Sequence, residues 1–200
     1  MKKILLTAFL SFSLLSFSQY TIPTASPRQK VEQQFSLTKI TVDYGRPGMK
    51  GRKIFGDLVP YGKVWRAGAN AATKITFDQN VLFGGKNVKA GTYGLFIIPT
   101  EKEWQLIINK DAQQWGAFAF DPKLNIAEVS LPVQKINEKQ EWFTIAVNPL
   151  DIHSSELILS WDRTQVSVRI EESNAETVTA IVEKLTEIKQ IEKKAAEAKK

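Results

Sequence analysis

Seven cations crowd the 32 residues from Asp43 to Lys74: Arg46, Lys50, Arg52, Lys53, Lys63, Arg66 and Lys74. Only two acids, Asp43 and Asp57, accompany them, so the segment carries +5 in a chain of +6. Guanidinium is planar, forked and permanently charged, which suits carboxylates, phosphates and acidic or sulfated sugars. Interleaved glycines such as Gly45, Gly48, Gly56 and Gly68 let backbone N–H groups come close to a ligand. Tyr61 and Trp65 offer ring faces, and Asn70 both donates and accepts hydrogen bonds. Such a composition fits a long, shaped loop better than a plain strand. Arg46, Arg52, Tyr61, Trp65, Arg66 and Asn70 are therefore the candidate ligand-binding residues, for a small polar or anionic ligand, a glycan included. The same residues also fit a scaffold: Trp65, Phe55 and Val59 as core, with Arg46 and Arg52 tying strand ends to Asp43 and Asp57.

Other chemistries find less material. Asp43 and Asp57 flank the basic segment, and a hydrolase of envelope polysaccharide or peptide would need two such acids across a cleft. No catalytic residue is assigned on that ground. His153 is the single histidine and there is no cysteine. A His-rich or thiolate metal site, a thiol nucleophile and a disulfide are thereby excluded, and no Gly-x-Ser-x-Gly or calcium-loop spacing occurs. The expectation is a protein with neither metal nor cofactor. The positive balance is too small and too local to indicate nucleic acid.

The elements that must position these residues read mostly as strands. Alternation marks Ser36–Tyr44, Lys74–Phe77, Thr92–Ile98, Trp104–Ile108, Gly116–Phe120, Glu128–Val133, Trp142–Val147, Glu156–Trp161 and Gln165–Ile170. Gly84-Gly85-Lys86 suits a hairpin turn between Val81–Phe83 and Asn87–Val88, and Asp162-Arg163-Thr164 a tight turn. Short strands at near-regular spacing predict an antiparallel β-sandwich or jelly-roll-like barrel across residues 19–172. Trp104, Trp115, Trp142 and Trp161 are expected to pack in its core or ends, and the alternation from Trp115 to Phe120 to form a tightly packed inner strand.

Residues 173–200 differ. They lack glycine and proline, and Val178, Ile181, Val182, Leu185, Ile188 and Ile191 recur at helical spacing. Ser173 with Glu176 suits a capping box, so one C-terminal helix with a frayed end is predicted. It would either pack on the sheet or serve as a contact for a protein partner. At the other end, Lys2 and Lys3 precede the apolar run Ile4–Phe17, and Ser16-Phe17-Ser18 provides a cleavage signal. Residues 1–18 read as a signal peptide, with Gln19 as the new N-terminus and export to the periplasm or beyond. No other apolar run nears the ~20 residues of a membrane span.

The motifs also resemble a known family. Ala25-Ser26-Pro27 leads into a strand, and Tyr44-Gly45-Arg46-Pro47, Lys50-Gly51-Arg52, Ile54-Phe55-Gly56, Leu58-Val59-Pro60-Tyr61-Gly62, Val64-Trp65-Arg66-Ala67-Gly68-Ala69-Asn70 and Ala90-Gly91-Thr92-Tyr93 follow in series. From about Ala25 to Ile170 the chain resembles an exported bacterial family called domain of unknown function 2911, frequent in Bacteroidetes. The resemblance implies a secreted or periplasmic β-rich domain. It brings no assigned activity, ligand or catalytic residue, and the C-terminal helix lies outside it.

Overall fold

The computed structural model describes residues 22–198. The expected signal peptide lies outside the described residues. Among the described residues, ten antiparallel strands form two sheets. The larger contains, in spatial order, β1 (Arg28–Phe35), β2 (Thr38–Gly45), β3 (Thr73–Phe77), β6 (Gly91–Pro99), β7 (Glu103–Asn109) and β8 (Asn125–Pro132). The smaller contains β5 (Lys86–Val88), β4 (Val81–Phe83), β10 (Ser154–Glu172) and β9 (Gln134–Asp151). The sheets stay open at their edges, so the architecture is a sandwich and not a closed barrel.

Strict period-two alternation builds the interior. Ile40, Val42 and Tyr44 of β2, Ile75 and Phe77 of β3, and Trp104, Leu106 and Ile108 of β7 are all buried. They meet Phe143 and Ile145 of β9 and Leu157, Leu159, Trp161, Val166, Val168 and Ile170 of β10 in one continuous cluster. β1 is one edge strand of the larger sheet. Only Val31 and Phe35 are apolar in it, and Arg28, Lys30 and Glu32 charge its exposed positions, which blunts edge-to-edge pairing.

Three local expectations are corrected. The Asp162-Arg163-Thr164 stretch is no turn: β10 runs unbroken through it, and Asp162, at φ 53°, sits between two register shifts against β9. A bulge absorbs the turn-like residues and bends a 19-residue strand around the core. Gly116–Phe120 forms no strand but belongs to the loop after β7. Trp115 is 65% exposed and Phe118 90%, so neither is core. Trp142, at 37%, is also only partly covered, whereas Trp104 and Trp161 are buried as expected.

The C-terminal helix, α1 (Ala175–Glu197), starts one residue later than the capping-box pattern suggests. Asn174 is the N-cap, its side chain accepting from the Thr177 N–H at 3.1 Å. No helical residue is buried. Ile181, Leu185, Ile188 and Ile191 become steadily more exposed along it, from 43% to 66%. An apolar hollow of about 540 Å³ separates the helix from Leu37 and Ile152. A polar clasp holds its first turns: the His153 ring lies 2.8 Å from Glu172 Oε2 and 3.1 Å from Thr179 Oγ1. Among the described residues, no helix is long and apolar enough to cross a membrane. Because the helix adds so little buried surface, ending the chain at Ser173 should leave a cooperative thermal transition within about 4 °C of the full chain. Circular dichroism melting reads this; loss of the transition would show that the helix belongs to the core.

Candidate functional site

Where β2 stops at Gly45, the chain crosses from one sheet to the other. Pro47 O accepts from the Phe143 N–H at 2.9 Å and the Met49 N–H donates to Glu141 O at 2.8 Å, stitching this stretch to β9. Arg46 secures the crossing. Its Nε donates to Phe143 O at 3.2 Å and its Nη2 to Thr144 Oγ1 at 3.1 Å. Farther on, Trp65 lies beside β6 past the end of β3, exchanging 2.7 and 2.8 Å backbone hydrogen bonds with Ile97. The chain then coils tightly through residues 66–70 and returns along β2.

That coil is strained and heavily bonded. Ala67 at φ 49° and Asn70 at φ 65° occupy left-handed conformations that non-glycine residues seldom adopt. Trp65 Nε1 donates to Gly68 O at 2.9 Å, Thr73 Oγ1 donates to Ala67 O at 2.6 Å, and the Ala69 N–H donates to Gly45 O at 3.1 Å. The surrounding structure thus dictates a backbone that the residues would not choose alone.

A hollow of about 300 Å³ opens between the crossing and the coil. Arg52, Arg66 and Asn70 give it polarity, and Leu58, Val59, Trp65 and Trp161 give it apolar wall. No carboxylate lines it among the described residues. Arg52 is held rather than neutralised, its Nε donating to Met49 O at 2.9 Å and Nη2 to Gly48 O at 2.7 Å. Two of its five N–H donors are used there. Arg66 is half-buried, and its Nε is sealed from solvent with no hydrogen-bond partner among the described residues. Desolvation pushes its guanidinium pKa down. Neither arginine forms an ion pair among the described residues.

Of the six residues proposed from sequence, four line this hollow: Arg52, Trp65, Arg66 and Asn70. Arg46 and Tyr61 do not. Arg46 is the sheet-to-sheet clasp, and Tyr61 packs its ring over Gly56 at the surface, 38% exposed. Trp65 is only 8% exposed and stacks on Trp161, centroids 5.8 Å apart and planes 19° apart, so it is wall rather than open platform. Neither acid locks a basic-segment arginine. Asp43 pairs with Arg28 at 2.7 Å, and Asp57 sits in a tight turn, its N–H donating to Ile54 O at 3.3 Å. Sequence reasoning missed Trp161, whose β10 position lies nearly a hundred residues from Arg66, and Leu58 with Val59, whose apolar character pointed only to core.

A family model described as "Protein of unknown function (DUF2911)" matches residues 26–170, well over half of the chain. The chain belongs to the DUF2911 family. The match takes in every residue of the hollow from Ser26 to Trp161 and ends before α1. No curated protein and no solved structure matches the chain. As a DUF2911 member, the protein contributes a sandwich whose hollow is built from the Val64–Asn70 series and from Arg52 of Lys50-Gly51-Arg52.

Proposed function

We propose that this DUF2911 protein is an exported, non-catalytic binding protein for a small polar or anionic ligand, held in the Arg52–Arg66–Asn70 hollow. One observation carries the reading: a half-buried guanidinium whose Nε has no partner among the described residues, at the wall of a hollow that none of their carboxylates lines. An unpaired, desolvated charge costs stability, and a ligand acid would supply both the missing acceptor and the countercharge. Strained backbone at Ala67 and Asn70 supports the reading, because such strain collects at functional sites.

Arg66→Met tests it, since the replacement keeps length and removes charge. Calorimetry with acidic and neutral sugars should show affinity for an acidic ligand falling about 10- to 100-fold. Stability should rise by about 1 kcal/mol as the unpaired charge disappears. Equal, negligible binding by both proteins across the panel would remove the proposal. Export rests on the Lys2-Lys3 start and the Ile4–Phe17 run. The intact mass of protein recovered from the native cell should correspond to a chain beginning at Gln19; a chain retaining Met1 would contradict it.

The exposed stripe on α1 favours a second reading, an envelope-interaction protein docking through that helix. Ending the chain at Ser173 should then abolish partner capture while the sandwich stays folded. The hydrolase reading gains nothing, because neither Asp43 nor Asp57 lines the hollow.

A further inference from the structure

The loop from Lys110 to Asp121 is ordered by its own bonds, yet it holds two aromatic rings out in solvent. Asp111 accepts from the Gln113 N–H at 3.0 Å and from Gln114 Nε2 at 3.1 Å, and Asn109 Nδ2 donates to Asp121 O at 2.9 Å. Phe120 packs edge-on against Phe96, 5.0 Å between centroids, on the outer face of the large sheet. Gly116, at φ 68°, lets the Phe118 ring fold over its backbone, where a Cβ would lie 2.8 Å from Phe118 Cε2. Trp115 and Phe118 therefore form an aromatic ledge on a bonded loop, 65% and 90% exposed. Large aromatic rings carry much contact area on few rotatable bonds and so lose little entropy on contact, which is the property of a binding anchor.

The ledge is joined directly to the hollow. Ala71 bridges to Trp115, the Ala72 N–H donates to Gln114 O at 3.0 Å, and the Gly116 N–H donates to Asn70 O at 3.0 Å. Asn70 is itself part of the hollow wall. One bridge and one peptide step put the Trp115 Cα within about 10 Å of the Asn70 Cα. A charged pocket and an exposed indole on the loop bonded to its wall fit a linear molecule with an acid at one unit and a flat apolar face on a nearby one. Acidic oligosaccharides have this form: a carboxylate on each ring and C–H faces that stack on indole.

We infer that the ligand is an acidic oligosaccharide, with one uronate in the Arg52–Arg66 hollow and a neighbouring sugar stacked on Trp115. This rests on the binding reading of the hollow and adds ligand class and length. The test is calorimetry with galacturonate and with tetragalacturonate on the full chain, Trp115→Ala, Trp115→Phe and Arg66→Met. The unaltered protein should bind the tetramer about tenfold more tightly than the monomer. Trp115→Ala should keep monomer affinity and lose that ratio, Trp115→Phe should retain most of it, and Arg66→Met should weaken both ligands. An unchanged ratio in Trp115→Ala, or equal affinity of the unaltered protein for both lengths, would overturn the ledge and leave the hollow standing. Binding of neither ligand to the unaltered protein would overturn the acidic-oligosaccharide assignment, whereas the binding reading of the hollow falls only with the whole sugar panel.

Discussion

Gly45→Ala is expected to lower the stability of this protein by about 4 kcal/mol, more than the addition of one methyl group ordinarily does. A Cβ at Gly45 would overlap the Ala69 carbonyl oxygen and lie 2.9 Å from the Ala69 carbonyl carbon. Those neighbours are backbone and cannot swing aside as a flexible side chain would. The coil through residues 66–70 must retreat, which breaks the hydrogen bond from the Ala69 N–H to Gly45 O and disturbs that from Trp65 Nε1 to Gly68 O. For a chain of this size each kcal/mol moves the melting temperature by about 2–4 °C, so a drop of roughly 8–16 °C is expected. Differential scanning calorimetry checks it. A melting temperature within about 2 °C of the parent would show that the coil is free to shift, and with it the arginine geometry of the hollow.

Trp161→Ala should lower stability by about 3–5 kcal/mol, because a buried indole is deleted and the cavity only partly closes. Trp161 is 1% exposed and meets Trp65, Phe143 and Phe55 at 5.8, 5.8 and 6.3 Å between centroids. Its Nε1 donates to Glu141 O at 3.2 Å. The companion change Trp104→Ala removes another fully buried indole, one that lies outside the hollow wall. Both variants should melt at lower temperature in urea or heat, yet only Trp161→Ala should also lose ligand affinity under conditions where both are folded. Equal affinity in the two would mean that the Trp65–Trp161 stack contributes to the core alone.

The contrast between these tryptophans shows what the sequence could reveal. Strands with one wet face and one dry face, such as Thr38–Gly45 and Thr73–Phe77, announce themselves by alternation, and so the sandwich was legible. Arg28–Phe35 shows no such alternation, because an edge strand defended by charge has few apolar positions, and only the Ala25-Ser26-Pro27 motif pointed to a strand there. Asp162 read as a turn because bulges and turns draw on the same residue types. The small–aromatic alternation from Trp115 to Phe120 read as a packed strand, but only Ala117 and Phe120 find the outer cluster to pack against.

In the site, local composition singled out the segment holding Arg52, Arg66 and Asn70, but not how the chain folds through it. Arg46 resembles Arg66 in the sequence. Pro47 and Gly48 carry the chain across to β9, where Arg46 finds Phe143 O and Thr144 Oγ1, while the Arg66 Nε finds no acceptor among the described residues. That difference depends on a strand almost a hundred residues away, which no local pattern encodes.

The Nε–H of Arg66 is the most direct witness. Nitrogen-15 NMR of the full chain, with the Arg66 Nε resonance assigned by its disappearance in Arg66→Met, should be followed during titration with tetragalacturonate. We expect that resonance to shift saturably and its proton to exchange more slowly with water as a carboxylate takes the vacant acceptor position. A resonance that stays fixed while the ligand saturates, or a ligand that perturbs other arginines and leaves Arg66 unmoved, would contradict the account.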